Sequence, residues 1–216
     1  AARRPLVAGA LHELCRTARE HAVPLSGPAD VAVIGIPSFS EQYPSTFLNP
    51  LLVLDEARRA LDGGSLLKKN GTLIVLNPLS DRFDQRQHLP HRAFIHELLL
   101  KKKDPLEPAC EQAFTQDPAL LGMHAHGRGC HPSHPFLVWK QALALRHHLG
   151  RLLVVGADNE TIPAVLGFET ASSMEEALYK SRSDQAGELE IVCLHGPPWP
   201  LLDLRAGQSV PHAGAA

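Results

Sequence analysis

The sequence predicts a three-layer, Rossmann-like α/β domain with a mostly parallel sheet. Three observations predict it. Four short runs, near residues 31–36, 72–76, 152–156 and 190–194, are apolar throughout and rich in Val, Ile and Leu, as strands buried on both faces must be. The segments between them carry helical spacing, and strands alternating with helices pack as a sheet covered on both sides. Finally, 216 residues at 44% hydrophobic content suffice for one sizeable core. Neither GxGxxG nor GxxxxGK[ST] occurs, which disfavours the usual dinucleotide and P-loop sites, and there is no internal repeat.

Residues 5–21 repeat Leu6, Ala10, Leu14 and Ala18 on one face and predict a leading helix that Pro24 and Gly27-Pro28 end. The strand over 30–37 leads to a polar loop, 38–46. Leu51, Leu54, Ala57 and Leu61 then predict a helix over 47–62, stopped by Gly63-Gly64. After the strand over 71–78, residues 91–100 and 106–114 predict two helices divided by the charged break 101–105. A loop with four of the thirteen histidines follows, then a helix over 136–148, closed by Gly150, and the strand over 151–157. Ser172 or Ser173 caps a helix to about 182, with Glu175 and Glu176 in its first turn, where they complement the helix dipole. The last strand precedes a Pro/Gly-rich stretch. The expected organisation is a linker and leading helix from a missing amino-terminal domain over 1–28, the α/β domain over 29–205, and a loose tail over 206–216.

A net charge of −2 gives no basic surface for nucleic acid, and no apolar run is long enough to span a bilayer, so neither partner is expected. No apolar region follows Arg3-Arg4 as a signal peptide requires. Cys15, Cys110, Cys130 and Cys193 form no CxxC pair, which predicts reduced thiols and a cytoplasmic protein.

Chemistry is expected first in residues 122–139, where His124, His126, His131 and His134 crowd a Gly/Pro-rich loop, because imidazole transfers protons near neutral pH and ligates metals. The HxxH spacing of His131 and His134 could place both rings on one face of a turn; the simpler reading is exposed loop punctuation. In an extended loop His124 and His126 would point the same way, most simply into solvent. With no Cys or carboxylate at conventional zinc spacing, no metal site is expected. Ser45, Thr46 and Asn49 could hold an anionic substrate group at a helix amino terminus, or simply cap it. Asp81, Arg82 and Asp84 could form a cleft-facing cluster or surface ion pairs. His147-His148 reads as a dipole partner at a helix end, and Lys101–Lys103 as a solvated charge run.

Four segments in order, EQYPSTFLNPLLVLDEA (41–57), KKNGTLIVLNPLSDRFD (68–84), HPFLVWKQALALRHHLGRLLVVGAD (134–158) and LGFETASSMEEALYKS (166–181), resemble the carboxyl-terminal domain of the nickel-pincer lactate racemase family, in its less characterised branch with an HPSHPF-like segment. The resemblance covers roughly residues 10–205. It implies a two-domain racemase or epimerase that acts on a 2-hydroxy acid by hydride transfer. The amino-terminal domain would hold the nickel-pincer nucleotide on a lysine and a histidine, and this domain would close over the cleft. No cofactor is expected on this chain alone. By position, Gln42 matches a Gln-x-x-Lys arrangement of characterised members, whereas Ser45 stands where lysine is expected, so the substrate need not be lactate. Trp139 falls at the family's tryptophan. The implied substrate contacts are therefore Gln42, Ser45, Thr46, Asn49 and Trp139, with His131 and His134 in support. The alternative is a non-catalytic Rossmann-like binding or interaction module, which an unrelated preceding domain would favour.

Overall fold

A computed structural model describes residues 23–25, 27–36, 66–83, 88–182, 187–194 and 202–204. The expected helices over 5–21 and 47–62 lie outside the described residues. The elements are β1 (Val23–Leu25), β2 (Ala29–Gly35), β3 (Leu67–Leu76), α1 (Leu89–Ala93) with a π-helical continuation over Phe94–Leu99, α2 (Pro108–Thr115), α3 (Pro118–Ala125), α4 (His134–Arg146), β4 (Arg151–Val155), α5 (Thr161–Leu166), β5 (Glu169–Ala171), α6 (Met174–Arg182), β6 (Ile191–Leu194) and β7 (Leu202–Leu204).

Five strands form one all-parallel sheet in the order β5-β4-β3-β2-β6, the Rossmann-like arrangement the apolar runs predict. All four expected strands are present. Alternate residues of β2, β3 and β4 feed two separate cores. Ala32, Ile34, Leu73, Val75, Leu152 and Val154 face the helices between residues 89 and 166, with Phe94, Phe136, Trp139, Ile162 and Leu166 packed onto them. Val31, Val33, Ile74 and Leu153 face the other way, onto Ala177 of α6 with Met174 and Leu178 beside it. Burial on both faces explains why β2, β3 and β4 show no polar alternation, whereas edge strand β6 departs from the expectation and leaves Ile191 and Cys193 exposed.

At the amino edge, Lys68 on β3 bridges Asp30 on β2 (3.0 Å) and Glu190 before β6 (2.9 Å). Asp30 stays ionised below the usual carboxylate range: its partial burial opposes the charge, but the Glu190 N–H and the Lys68 ammonium outweigh it. There too, Gly150 donates its N–H to the Gly71 carbonyl (3.0 Å), and Asn70, in the left-handed region at φ 64°, donates to the His148 carbonyl (2.9 Å). His148 Nε2 donates to the Leu67 carbonyl at 3.0 Å, so this ring ties α4's end to β3, where the sequence suggested a dipole partner.

The end of α4 is therefore fixed at the amino edge of the sheet. As a crossover helix between parallel strands, α4 runs antiparallel to them, so its 13 residues, about 20 Å of helix, carry its start to the carboxyl edge.

Several elements were not expected. Residues 118–125 are helical, with Pro118 in the first turn and the Asp117 carboxylate accepting from Ala119 N (2.8 Å) and Leu120 N (3.1 Å). Thr161–Leu166 is a short helix that Gly167 ends in the left-handed conformation, φ 70°. β1 pairs in parallel with β7 in a two-stranded sheet, Val23 opposite Leu202 and Leu25 opposite Leu204. Residues within the expected linker thus pair with residues of the Pro/Gly-rich stretch. Among the described residues, no helix is long and apolar enough to cross a membrane.

Candidate functional site

Three histidines and a cysteine meet where α4 begins. α1 is set by Pro90 at its second position and presents His91 inward, 1% exposed. The chain from α3 turns through Gly127 (φ 68°) and Gly129 (φ 135°) and delivers Cys130, then opens α4 at His134. His91 Nε2 lies 2.9 Å from His134 Nδ1, and Cys130 Sγ lies 3.6 Å from His91 Nδ1. The His88 ring stands edge-on to His91, centroids 5.7 Å apart.

Electrostatics make this group neutral. Burial, then the neighbouring rings of His134 and His88, push the His91 pKa down to about 3. Burial also lowers His134. Burial raises the Cys130 thiol to about 11, against a smaller opposing backbone hydrogen bond. Near neutral pH the arrangement is thus two neutral imidazoles and a thiol. The contacts close as a chain in either direction: the thiol donates to His91 Nδ1 while His91 Nε2–H donates to His134, or each proton points the other way. A protonated thiol is a poor nucleophile, so a Cys–His nucleophilic pair is disfavoured. Two imidazoles and a sulfur, one ligand atom from each within 4.8 Å of the others, can instead hold a metal ion.

The structure divides the HxxH pair that the sequence singled out. His134 joins His91 and Cys130. His131 turns to Ser133, whose Oγ is 2.7 Å from its Nδ1, and its ring packs edge-on to His124 at 5.1 Å. His124 and His126 are not on an extended loop, because α3 runs through His124. Their Nδ1 atoms meet main-chain carbonyls, His124 that of Gly129 (3.2 Å) and His126 that of Gly122 (2.6 Å). The loop itself is only residues 126–133. The expectation of no metal-ligand set misses this cluster, since His91 lies 39 residues before Cys130 and no local spacing joins them. His88, His91 and Cys130 were thus overlooked; the sequence signal available was a Leu-Pro-His turn opening a helix and a cysteine embedded in the histidine loop.

The other expected site residues fall elsewhere. Gln42, Ser45, Thr46, Asn49 and Asp84 lie outside the described residues. Trp139 is in the core, 7% exposed, its ring centroid 6.0 Å from that of Phe94. Asp81 and Arg82 are exposed.

Further polar groups gather at the carboxyl edge. Buried Asn77 donates its N–H to the Val155 carbonyl (3.2 Å) and its Nδ2–H to the Ile36 carbonyl (3.4 Å), and accepts from Leu79 N (2.8 Å). One residue, through its main chain and its side chain, so joins the exits of β2, β3 and β4. Asp158 N donates to the Pro78 carbonyl at 2.7 Å, and the Asn159 side chain accepts from Thr161 N at α5's start. A concavity of about 780 Å³ between the π-turn and α2–α3, lined by residues including Glu97, Lys102, Asp104 and Cys110, involves none of the histidine cluster.

The fold and the cluster define an all-parallel α/β domain with a histidine–cysteine group at the start of a crossover helix. No family model and no curated protein matches the chain. Among solved structures it is similar to the lactate racemase apoprotein from Thermoanaerobacterium thermosaccharolyticum, at 17% identity and TM-score 0.47, over 83% of this chain and 36% of that one. The chain thus spans about a third of that protein's length, and a likeness this distant says nothing of chemistry.

Proposed function

We propose that this domain closes over the reacting centre of a two-domain racemase or epimerase of 2-hydroxy acids. The observation that supports this reading best is the convergence at one sheet edge: the exits of β2, β3 and β4 are joined by Asn77, and α4 begins on the same side with His134. Open α/β sheets bind ligands outside the carboxyl ends of their strands, above all where strand order reverses. Here that reversal lies between β2 and β6, and residue 36 leaves β2 beside it.

On this reading Gln42, Ser45, Thr46 and Asn49 hold the substrate's carboxylate and hydroxyl, and Trp139 backs the wall from the core. His134 and His131 would take up the substrate's hydroxyl proton and return it. A neutral imidazole suits that task. The hydride acceptor of such a reaction, a nickel-pincer nucleotide, supplies that chemistry when bound. The described residues offer it no tether beside the cluster: Lys68, Lys101, Lys140 and Lys180 are paired with carboxylates, Lys69 lies near the start of β3 at the amino edge, and Lys102 and Lys103 line the separate concavity. Another part of the enzyme would carry it.

Titrating the full chain with lactate and with larger 2-hydroxy acids, followed by amide NMR, tests the reading. Shifts are expected at residues 77–80, 130–134 and 156–160. Saturable shifts confined to other surfaces, or none with any 2-hydroxy acid, would overturn it. In a cofactor-loaded enzyme, Ser45→Lys is expected to move preference toward the smaller acid.

A further inference from the structure

We propose that His91, Cys130 and His134 bind a borderline transition-metal ion, zinc(II) being the best match, in a three-ligand site with a fourth position open to solvent or an incoming ligand. The proposal does not depend on the racemase reading; an ion on His134 would leave His131 as that reading's proton acceptor. Three observations carry it.

The donor set comes first. Two imidazoles and one thiolate are ligands zinc selects, and three protein ligands with an open position are typical of reactive rather than purely structural zinc. Second, the ligands come from different segments already held in place. His91 is fixed in the core by α1, His134 starts the 13-residue α4, and Cys130 is set by the two-glycine turn before it. The site therefore does not depend on folding a loop around the ion, and little ordering entropy opposes binding. Third, the ligand atoms lie within reach of one ion, one from each residue and all within 4.8 Å of one another. Ligands on tetrahedral zinc stand about 3.3 Å apart for two nitrogens and about 3.6 Å for nitrogen and sulfur, from the usual bond lengths. Here the nitrogen pair is at 2.9 Å and the sulfur–nitrogen pair at 3.6 Å. His91 presents different nitrogens to its two partners, so an ion must select one of them. Binding through one of them breaks the hydrogen bond at the other and draws the third ligand in from within 4.8 Å.

The open side follows from burial. His91 is sealed, whereas Cys130 and His134 are half-buried and leave one approach. On binding, the thiol gives its proton to solvent and sulfur bonds to the ion as thiolate; the imidazoles are already neutral, so no redox partner is needed.

Cobalt(II) and zinc(II) titrations of the purified, metal-stripped full chain test this. One equivalent of cobalt is expected to bind with a thiolate-to-cobalt charge-transfer band in the near ultraviolet and visible bands of four-coordinate geometry, and zinc to displace it. Cys130→Ser is expected to abolish the charge-transfer band. Loss of a direct ligand should cost at least the 100-fold that losing a supporting partner can cost, so Cys130→Ser and His134→Gln should each weaken zinc binding by about 100-fold or more. Both positions are half-exposed, and circular dichroism confirms that the variants fold. His126→Ala, whose ring lies outside the cluster, should bind as the parent does. Absence of stoichiometric binding by the parent chain would overturn the proposal, as would binding that survives both ligand variants or is lost in His126→Ala. Zinc binding without any response to 2-hydroxy acids would leave this site standing while the racemase reading fell.

Discussion

Asn77 shows how one side chain can hold a sheet edge together. It is buried, and its amide meets groups from β2 and from the turn after β3. Replacing it by Ala would leave the Leu79 N–H without its acceptor, a loss worth about 1–3 kcal/mol. Urea unfolding of Asn77→Ala should show a lower midpoint with an unchanged slope; an unchanged midpoint would remove the clamp. Gly150 makes a different argument. Its conformation is ordinary, but an added Cβ would stand 2.4 Å from the Asn70 carbonyl oxygen. That neighbour is main chain and cannot rotate away. Gly150→Ala is therefore expected to destabilise by about 1–3 kcal/mol through overpacking, read as a drop in thermal midpoint. The sequence showed Gly150 only as a helix stop. The clash partner lies 80 positions earlier, beyond any local pattern.

Among the elements, β2, β3 and β4 are readable because burial on both faces leaves an uninterrupted apolar run, and α2, α4 and α6 because their spacing or caps are local. The helix α3 was missed: Gly122 and the histidines argued for a loop, while the decisive signal, Asp117 before Pro118, came just upstream. Asp117→Ala should cost about 1 kcal/mol and loosen α3, raising amide exchange at Ala119 and Leu120. β5 escaped notice because three residues at a sheet edge carry little pattern. In α6, Glu176 accepts from the Lys180 ammonium at 2.7 Å and from the Ser172 hydroxyl and N–H, which hold its pKa down to about 2. A carboxylate depressed on folding stabilises the native state above its unfolded pKa and ceases to as pH falls through the folded one. Acid unfolding of the parent should therefore steepen between roughly pH 4.5 and 2, and Glu176→Gln should flatten that window. Identical acid profiles would show that this cap adds nothing.

At the scale of the whole molecule, the sheet order puts β2, β3 and β4 inside and β5 and β6 at the edges. Amide exchange should be slowest in Ile34, Leu73 to Val75 and Leu153 to Val154 and faster in β5 and β6, since edge strands open locally first; uniform protection across all five would contradict this. The fold class was legible because it is a sum of local periodicities. The histidine–cysteine cluster was not, because its members are joined only by where α1 and α4 lie, and half of the HxxH signal pointed to a ring that turns away.

The pairing of β1 with β7 has a mechanical meaning. The two strands run in the same direction, so the chain enters the pair at Val23 and leaves it at Leu204, at opposite ends. Tension applied along the chain on either side pulls the strands lengthwise past each other and loads all three residue pairs together rather than peeling them singly. Force reaching the larger sheet from its two flanks must first overcome that lengthwise grip, so the small pair acts as a strain-bearing clasp across the domain's entrance and exit.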